Sequence, residues 1–133
     1  MRNKFDMQLD KMNEMLIQMG ELCEKAIANA TKAVADGNLE MAKIVIGEDE
    51  EIDQMEKDIE RLCLKLLLQQ QPVAKDLRQI SAALKMITDM ERIGDQASDI
   101  AEILLSANES EAAPIPYLTE MAAATSKMVT KSV

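Results

Sequence analysis

The chain has no histidine and no tryptophan, and its only aromatic residues are one Phe and one Tyr. Without an imidazole there is no general base of the commonest kind, no Ser-His-Asp triad, no Cys/His zinc site and no Glu-x-x-His di-iron bundle. Only two cysteines occur, Cys23 and Cys63. Both fall at apolar helical positions, without the spacing of a metal or redox pair, and read as core thiols. Positive charge is also short, with 15 Lys and Arg against 24 Asp and Glu and a formal charge of −9. Such a balance repels phosphate backbones and anionic headgroups, so nucleic-acid binding is not expected. No apolar run approaches the length of a membrane span, and the opening Met1-Arg2-Asn3-Lys4-Phe5-Asp6 lacks the apolar stretch of a secretory signal. The expectation is a cytoplasmic protein without direct membrane insertion.

What is abundant points to helices. The 133 residues suit one compact domain, and 47% are apolar, with eleven Met. A core of Leu, Ile, Val, Ala and Met is a helix-bundle palette and a poor one for sheets. Phe5, Leu9, Met12, Leu16, Met19, Cys23, Ala26 and Ala30 recur in steps of four and three, which predicts a long first helix. It should stop at Asp36-Gly37-Asn38, where Gly37 can take the left-handed conformation and Asn38 can cap the next helix. A second helix is expected from about Leu39 to Gln70, with a stripe including Val45, Ile52, Ile59, Leu62, Leu66 and Leu67. Pro72 ends that pattern and suits the first turn of a third helix. The third stripe runs through Val73, Leu77, Ile80, Leu84 and Ile87 and on to Leu104. Three helices of roughly thirty residues, each about 45 Å long and joined by short turns, must lie antiparallel. The fold class predicted is therefore all-α, a three-helix bundle over residues 1–105. Residues 106–116 are polar, rich in Ala and Pro, and read as a linker. Residues 117–133 restart the rhythm at Leu118, Met121 and Met128, which predicts a partial fourth helix resembling the start of the first.

Acids interrupt this pattern where Leu should be. Stepping along the second seam from Val45 gives Asp49, Ile52, Glu56, Ile59, Cys63 and Leu66. Stepping along the third from Leu84 gives Ile87, Glu91, Gly94, Ser98 and Ala101. Counting outward in equal steps from a turn near Gln71 sets residue 49 level with 94 and residue 53 level with 90. Residues one turn apart share a face, so Asp49, Asp53, Glu91 and Asp95 should converge in a patch about 10 Å across. Four like charges so close raise one another's pKa, and a bound cation relieves them. Oxygen ligands alone favour hard ions such as Mg²⁺, Mn²⁺, Ca²⁺ or ferric iron. Gly94 costs about 1 kcal/mol in mid-helix, which close backbone approach would explain. Asp99 extends the spacing by one turn as a solvated acid or outer ligand, while Glu48, Glu50, Glu51, Asp89 and Glu102 are expected to face solvent. The methionines read as core packing, with a partner groove as the alternative.

The run Gln71-Pro72-Val73-Ala74-Lys75-Asp76-Leu77-Arg78, followed by Met90-Glu91-Arg92-Ile93-Gly94-Asp95, resembles the PhoU family of phosphate-transport regulators. Phe5, Leu9 and Asp49-Glu50-Glu51-Ile52-Asp53 extend the resemblance over residues 2–105. The resemblance implies two similar three-helix bundles, each with paired acid motifs that can hold a metal cluster; here those motifs are Asp49 with Asp53 and Glu91 with Asp95. It also implies an adaptor without enzymatic activity. Its partners would be a phosphate-specific ABC transporter, through the ATPase, and a sensor histidine kinase, with the phosphate-starvation response held off when phosphate is plentiful. Asp99 stands where the family commonly has Asn. The second bundle is missing beyond its first half-helix, so the chain is expected either to be part of a longer regulator or to complete its core as a homo-oligomer, a dimer. Two other readings compete: a metal-dependent phosphoester hydrolase, which clustered carboxylates could support, and a structural bundle whose acids serve solubility.

Overall fold

The computed structural model describes residues 3–69 and 72–110, whose regular structure is entirely helical. Helix α1 spans Asn3–Asp36, α2 Leu39–Gln69 and α3 Ala74–Ser110. Every pair of helices is in contact, as a three-helix bundle requires.

Local chemistry sets the ends of the helices. Gly37 adopts φ +64°, a conformation that costs glycine little. It lets the Asn38 N–H turn back to the Ala33 carbonyl at 2.9 Å, the Schellman closure of α1. Asn38 then caps α2, its Oδ1 accepting the Met41 N–H at 3.1 Å. At the start of α3 the Asp76 carboxylate accepts the Val73 N–H at 3.3 Å, which makes Val73 the cap and leaves Pro72 just outside the helix and not in its first turn.

The buried face carries the alternating steps expected of it. Met12, Met19, Val45, Ile52, Ile59, Leu66, Ile80 and Ile87 are fully or almost fully enclosed, each large side chain contributing about 1.5–3 kcal/mol by burial. Large residues fill the end nearer the α2–α3 turn. Toward the α1–α2 turn alanines become frequent in the core, with Ala26, Ala30, Ala33, Ala42, Ala97 and Ala101 buried among Ile27, Val34, Ile100 and Leu104. Side-chain contacts fix the register. Cys63 Sγ lies 3.6 Å from Met12 Sδ, Cys23 Sγ donates to the Met90 carbonyl at 3.3 Å, and Asn29 Nδ2 donates to Glu48 Oε1 at 3.1 Å. Consecutive helices are therefore antiparallel and α1 runs parallel to α3. Both thiols are free and buried. Burial, with smaller contributions from nearby acids, pushes Cys23 up to about 12 and Cys63 up to about 11, which suits inert core thiols.

Three details depart from the sequence pattern. Val73 and Leu77 are exposed, because the inward seam of α3 begins at Asp76 and continues through Ile80, Ala83 and Ile87. Glu48 is only 6% exposed, held by Asn29 and by Lys25 Nζ at 3.7 Å, and does not face solvent. Finally, α3 runs on through residues 106–110, the first part of the stretch read as a linker. Residues 106–110 contain no proline or glycine, so their polar composition does not end the helix. The rest of that stretch and the fourth helix expected over residues 117–133 lie outside the described residues.

Candidate metal centre

Side chains on the α2–α3 flank are placed by the same seam that builds the core. Val45, Ile52 and Ile59 point inward, and this turns Asp49, Asp53 and Glu56 toward α3. On α3, buried Ile87, Gly94 and Ala97 do the same for Glu91 and Asp95. The levels match the hairpin count, since a Cβ built on Gly94 would lie 3.1 Å from Asp49 Oδ1 and 3.0 and 3.2 Å from two carbons of Ile52. Any larger residue would push into the seam of α2. Gly94 is thus a point of close backbone approach.

Asp49, Asp53 and Asp95 each bring a carboxylate oxygen within 4.8 Å of the others. Glu91 is not a member of that trio. It joins through hydrogen bonding with Asp95 and Asp53. Glu56 stands beside the group, near enough for the charges of Asp53 and Asp95 to act on it, and its place on the α2 seam one heptad after Asp49 is the sequence signal for it. Asp99 is exposed but close enough for its charge to act on Asp49.

Electrostatics follow from this crowding. Burial raises Asp49 most, then the charges of Asp53 and Asp95, a hydrogen bond with Asp95 and the charge of Asp99, to about 7. Glu91 also reaches about 7, first through burial and then through Asp95, Glu56 and Asp53. Asp53 is raised by burial and by Asp95, with Lys57 and the Glu91 hydrogen bond in partial opposition. Glu56 is raised by burial, Asp53, Glu60 and Asp95, and Lys57 opposes. Burial and like charge thus act in the same direction. Among the described residues four enclosed side-chain oxygens have no hydrogen-bond partner, Gln8 Oε1, Glu48 Oε2, Asp49 Oδ1 and Asp53 Oδ1, and the last two lie together in this cluster. Buried acceptors of this kind cost free energy unless something donates or coordinates to them. An all-oxygen donor set with enclosed, unpartnered lone pairs fits a hard cation.

The methionines divide between core and surface. Met12 and Met19 are fully enclosed. Met86 and Met90, with Leu16, Ile17, Gly20, Glu21 and Glu24, line a mainly apolar groove of about 300 Å³ between α1 and α3.

Comparison with known proteins follows the same outline. The PhoU domain family model matches residues 16–104. The chain belongs to the PhoU family. Among its relatives, the phosphate-specific transport system accessory protein PhoU homolog of Aquifex aeolicus is 39% identical over 127 residues, covering 95% of this chain and 58% of that protein. The homolog of the same name from Clostridium acetobutylicum is 39% identical over 108 residues, covering 80% and 49%. The crystal structure of PhoU from Pseudomonas aeruginosa superposes with a TM-score of 0.86 at 34% identity, over 95% of this chain and 61% of that one. The chain thus spans about half to three-fifths of the length of these PhoU relatives.

Proposed function

We propose that this PhoU-family chain is a regulatory adaptor of phosphate uptake and of phosphate-starvation signalling, with no enzymatic activity of its own. It works on the cytoplasmic side as a homo-oligomer, a dimer, and contacts the ATPase of a phosphate-specific ABC transporter and a sensor histidine kinase. The names of its relatives, accessory proteins of the phosphate-specific transport system, support the transport side of this reading. Its acidic α2–α3 face holds one or more hard cations, Mg²⁺, Mn²⁺ or iron, through Asp49, Asp53, Glu91 and Asp95. The carrying observation is the pair of enclosed, unpartnered oxygens on Asp49 and Asp53 beside Asp95. A bound cation would supply charge neutralisation, and the four carboxylates would orient it on a face left free for protein contacts.

Elemental analysis of gently purified protein, together with its mass in solution, tests cation and assembly at once. In Asp49→Ala/Glu91→Ala the bound metal should disappear while helical content persists. Unchanged metal stoichiometry in the double variant would remove the site. A melting temperature indifferent to added divalent ions would do the same, because a ligand specific for the folded state must stabilise it.

A further inference from the structure

The groove and the acidic cluster use different helix pairs, α1 with α3 for the one and α2 with α3 for the other. Because α1 and α3 run parallel, the groove follows both axes. Its α1 wall extends from Leu16 to Glu24, about 12 Å at 1.5 Å per residue, or roughly two turns. Leu16 and Met90 are buried at the floor, while Ile17 and Met86 stand on opposite sides, 63% and 40% exposed. Gly20, in the middle of this span, adds no side chain to the floor. Glycine is a poor residue for the middle of a helix, and here it deepens the channel. Met86 and Met90 form the α3 wall, and the unbranched methionine side chain adapts its shape to what it meets.

Charge narrows what such a channel accepts. Glu21 and Glu24 also line it, both exposed and about one turn apart on the α1 side. Neither pairs with Lys or Arg among the described residues, and none of the lining residues is basic. A second copy of a chain carrying −9 would bring like charge against these carboxylates, and so would an anionic lipid surface. A purely apolar small molecule would leave them unanswered. A helix with one apolar stripe and Lys or Arg beside it meets the floor and the rim together. Recognition of a helix in a groove uses apolar anchors at i, i+3 or i+4 and i+7, the span that two turns provide.

We propose that the α1–α3 groove receives a basic amphipathic helix of a partner protein, its apolar stripe on Leu16, Gly20, Met86 and Met90 and its cations against Glu21 and Glu24. Only the α1 wall is acidic, so the cations must lie on one side of the stripe, which fixes the rotation of the helix about its own axis. The groove serves the adaptor reading without resting on it or on a bound cation.

Fluorescence anisotropy in EDTA tests the assignment, with a fluorescein-labelled peptide of Leu, Ala and Lys that has leucines at i, i+3, i+4 and i+7 and lysines beside them. The full chain should bind this peptide and not a scrambled peptide of the same composition, and added salt should weaken binding. Glu21→Gln/Glu24→Gln should weaken it on the order of tenfold, roughly threefold for each exposed charge pair. Glu51→Gln/Glu102→Gln removes the same charge from other exposed positions and should leave binding unchanged. Ile17→Lys/Met86→Lys should abolish binding with unchanged circular dichroism, because both side chains are exposed. Equal affinity for the scrambled peptide, or equal losses in the two charge variants, would reduce the interaction to bulk charge and overturn the proposal. Absence of binding by the folded chain overturns it too. Binding that appears only in Lys127→Glu/Lys131→Glu would assign the groove to residues 111–133 of this chain, and a halved solution mass in Ile17→Lys/Met86→Lys would assign it to a second copy; either result overturns the proposal.

Discussion

Replacing Gly94 with alanine sets two effects against each other at the acidic cluster. Alanine in place of a mid-helix glycine gains about 1 kcal/mol by propensity alone. The new methyl would stand 3.0 and 3.2 Å from two carbons of Ile52 and 3.1 Å from Asp49 Oδ1. Ile52 is fully buried and meets the methyl with two of its carbons, so a single side-chain rotation does not relieve the contact. Overpacking of this kind costs about 1–3 kcal/mol. The net expectation is a loss of about 0–2 kcal/mol. Gly47 is the internal control, because it lies in the same helix as Asp49 and a Cβ there meets nothing within 4 Å. Gly47→Ala should therefore gain about 0.5–1 kcal/mol. Urea unfolding of both variants without metal reads the difference, and at roughly 3–5 °C per kcal/mol the melting temperatures should also separate. Cation affinity measured by calorimetry should fall in Gly94→Ala, where the Asp49 carboxylate must shift, and hold in Gly47→Ala. A Gly94→Ala protein that melts above the wild type and binds the ion equally well would refute close approach of the two helices at this level.

Two more outcomes follow from the same contacts. Asp49 and Glu91, both raised to about 7, bind more protons in the folded state than in the unfolded one. Their contribution to the stability of the metal-free protein should therefore be fully present below the ordinary carboxylate range and be lost as pH rises through about 7; thermal melts in EDTA between about pH 5 and 8 check the sign against Asp49→Asn/Glu91→Gln, and a wild type that gains stability relative to that variant over this range would contradict it. Asn38→Ala removes the acceptor for the Met41 N–H and should cost about 1 kcal/mol in chemical denaturation, with α2 fraying at its start in amide exchange.

The residues that announced themselves in the sequence are those governed by local rules. Gly37 and Asn38 end one helix and begin the next by backbone geometry alone, and the four-and-three rhythm needs no knowledge of the neighbouring helix. The level of Asp49 with residue 94 was also readable, because a short turn between straight helices leaves little freedom of register. Glu48 shows where such reading stops. It lies three residues after Val45 and four before Ile52, hence on their face, yet it belongs to an acidic run that looks solvated. Its burial depends on Asn29 and Lys25 of another helix, which no local pattern reveals. Val73 and Leu77 fail for a related reason. They keep an apolar period, but the face that turns inward is chosen by Asp76 and Ile80. At the acidic cluster, periodicity supplied the residues and the hairpin supplied their height. Which three carboxylates meet within 4.8 Å, and which oxygens lack a partner, depends on side-chain rotamers that only coordinates define.

The concentration of buried alanines toward the α1–α2 turn has a mechanical consequence. Alanine has no side-chain torsions to rearrange and loses no side-chain entropy when buried, so that end, where Ile27, Val34, Ile100 and Leu104 are the larger enclosed side chains, has fewer ways to repack and passes more of a load to movement of the helices. Methionine and isoleucine at the other end can repack in place. Any strain set up at the acids, which lie between the two regimes, should be absorbed on the side of Met12, Met19 and Ile59, and methyl relaxation with and without cation would locate it there.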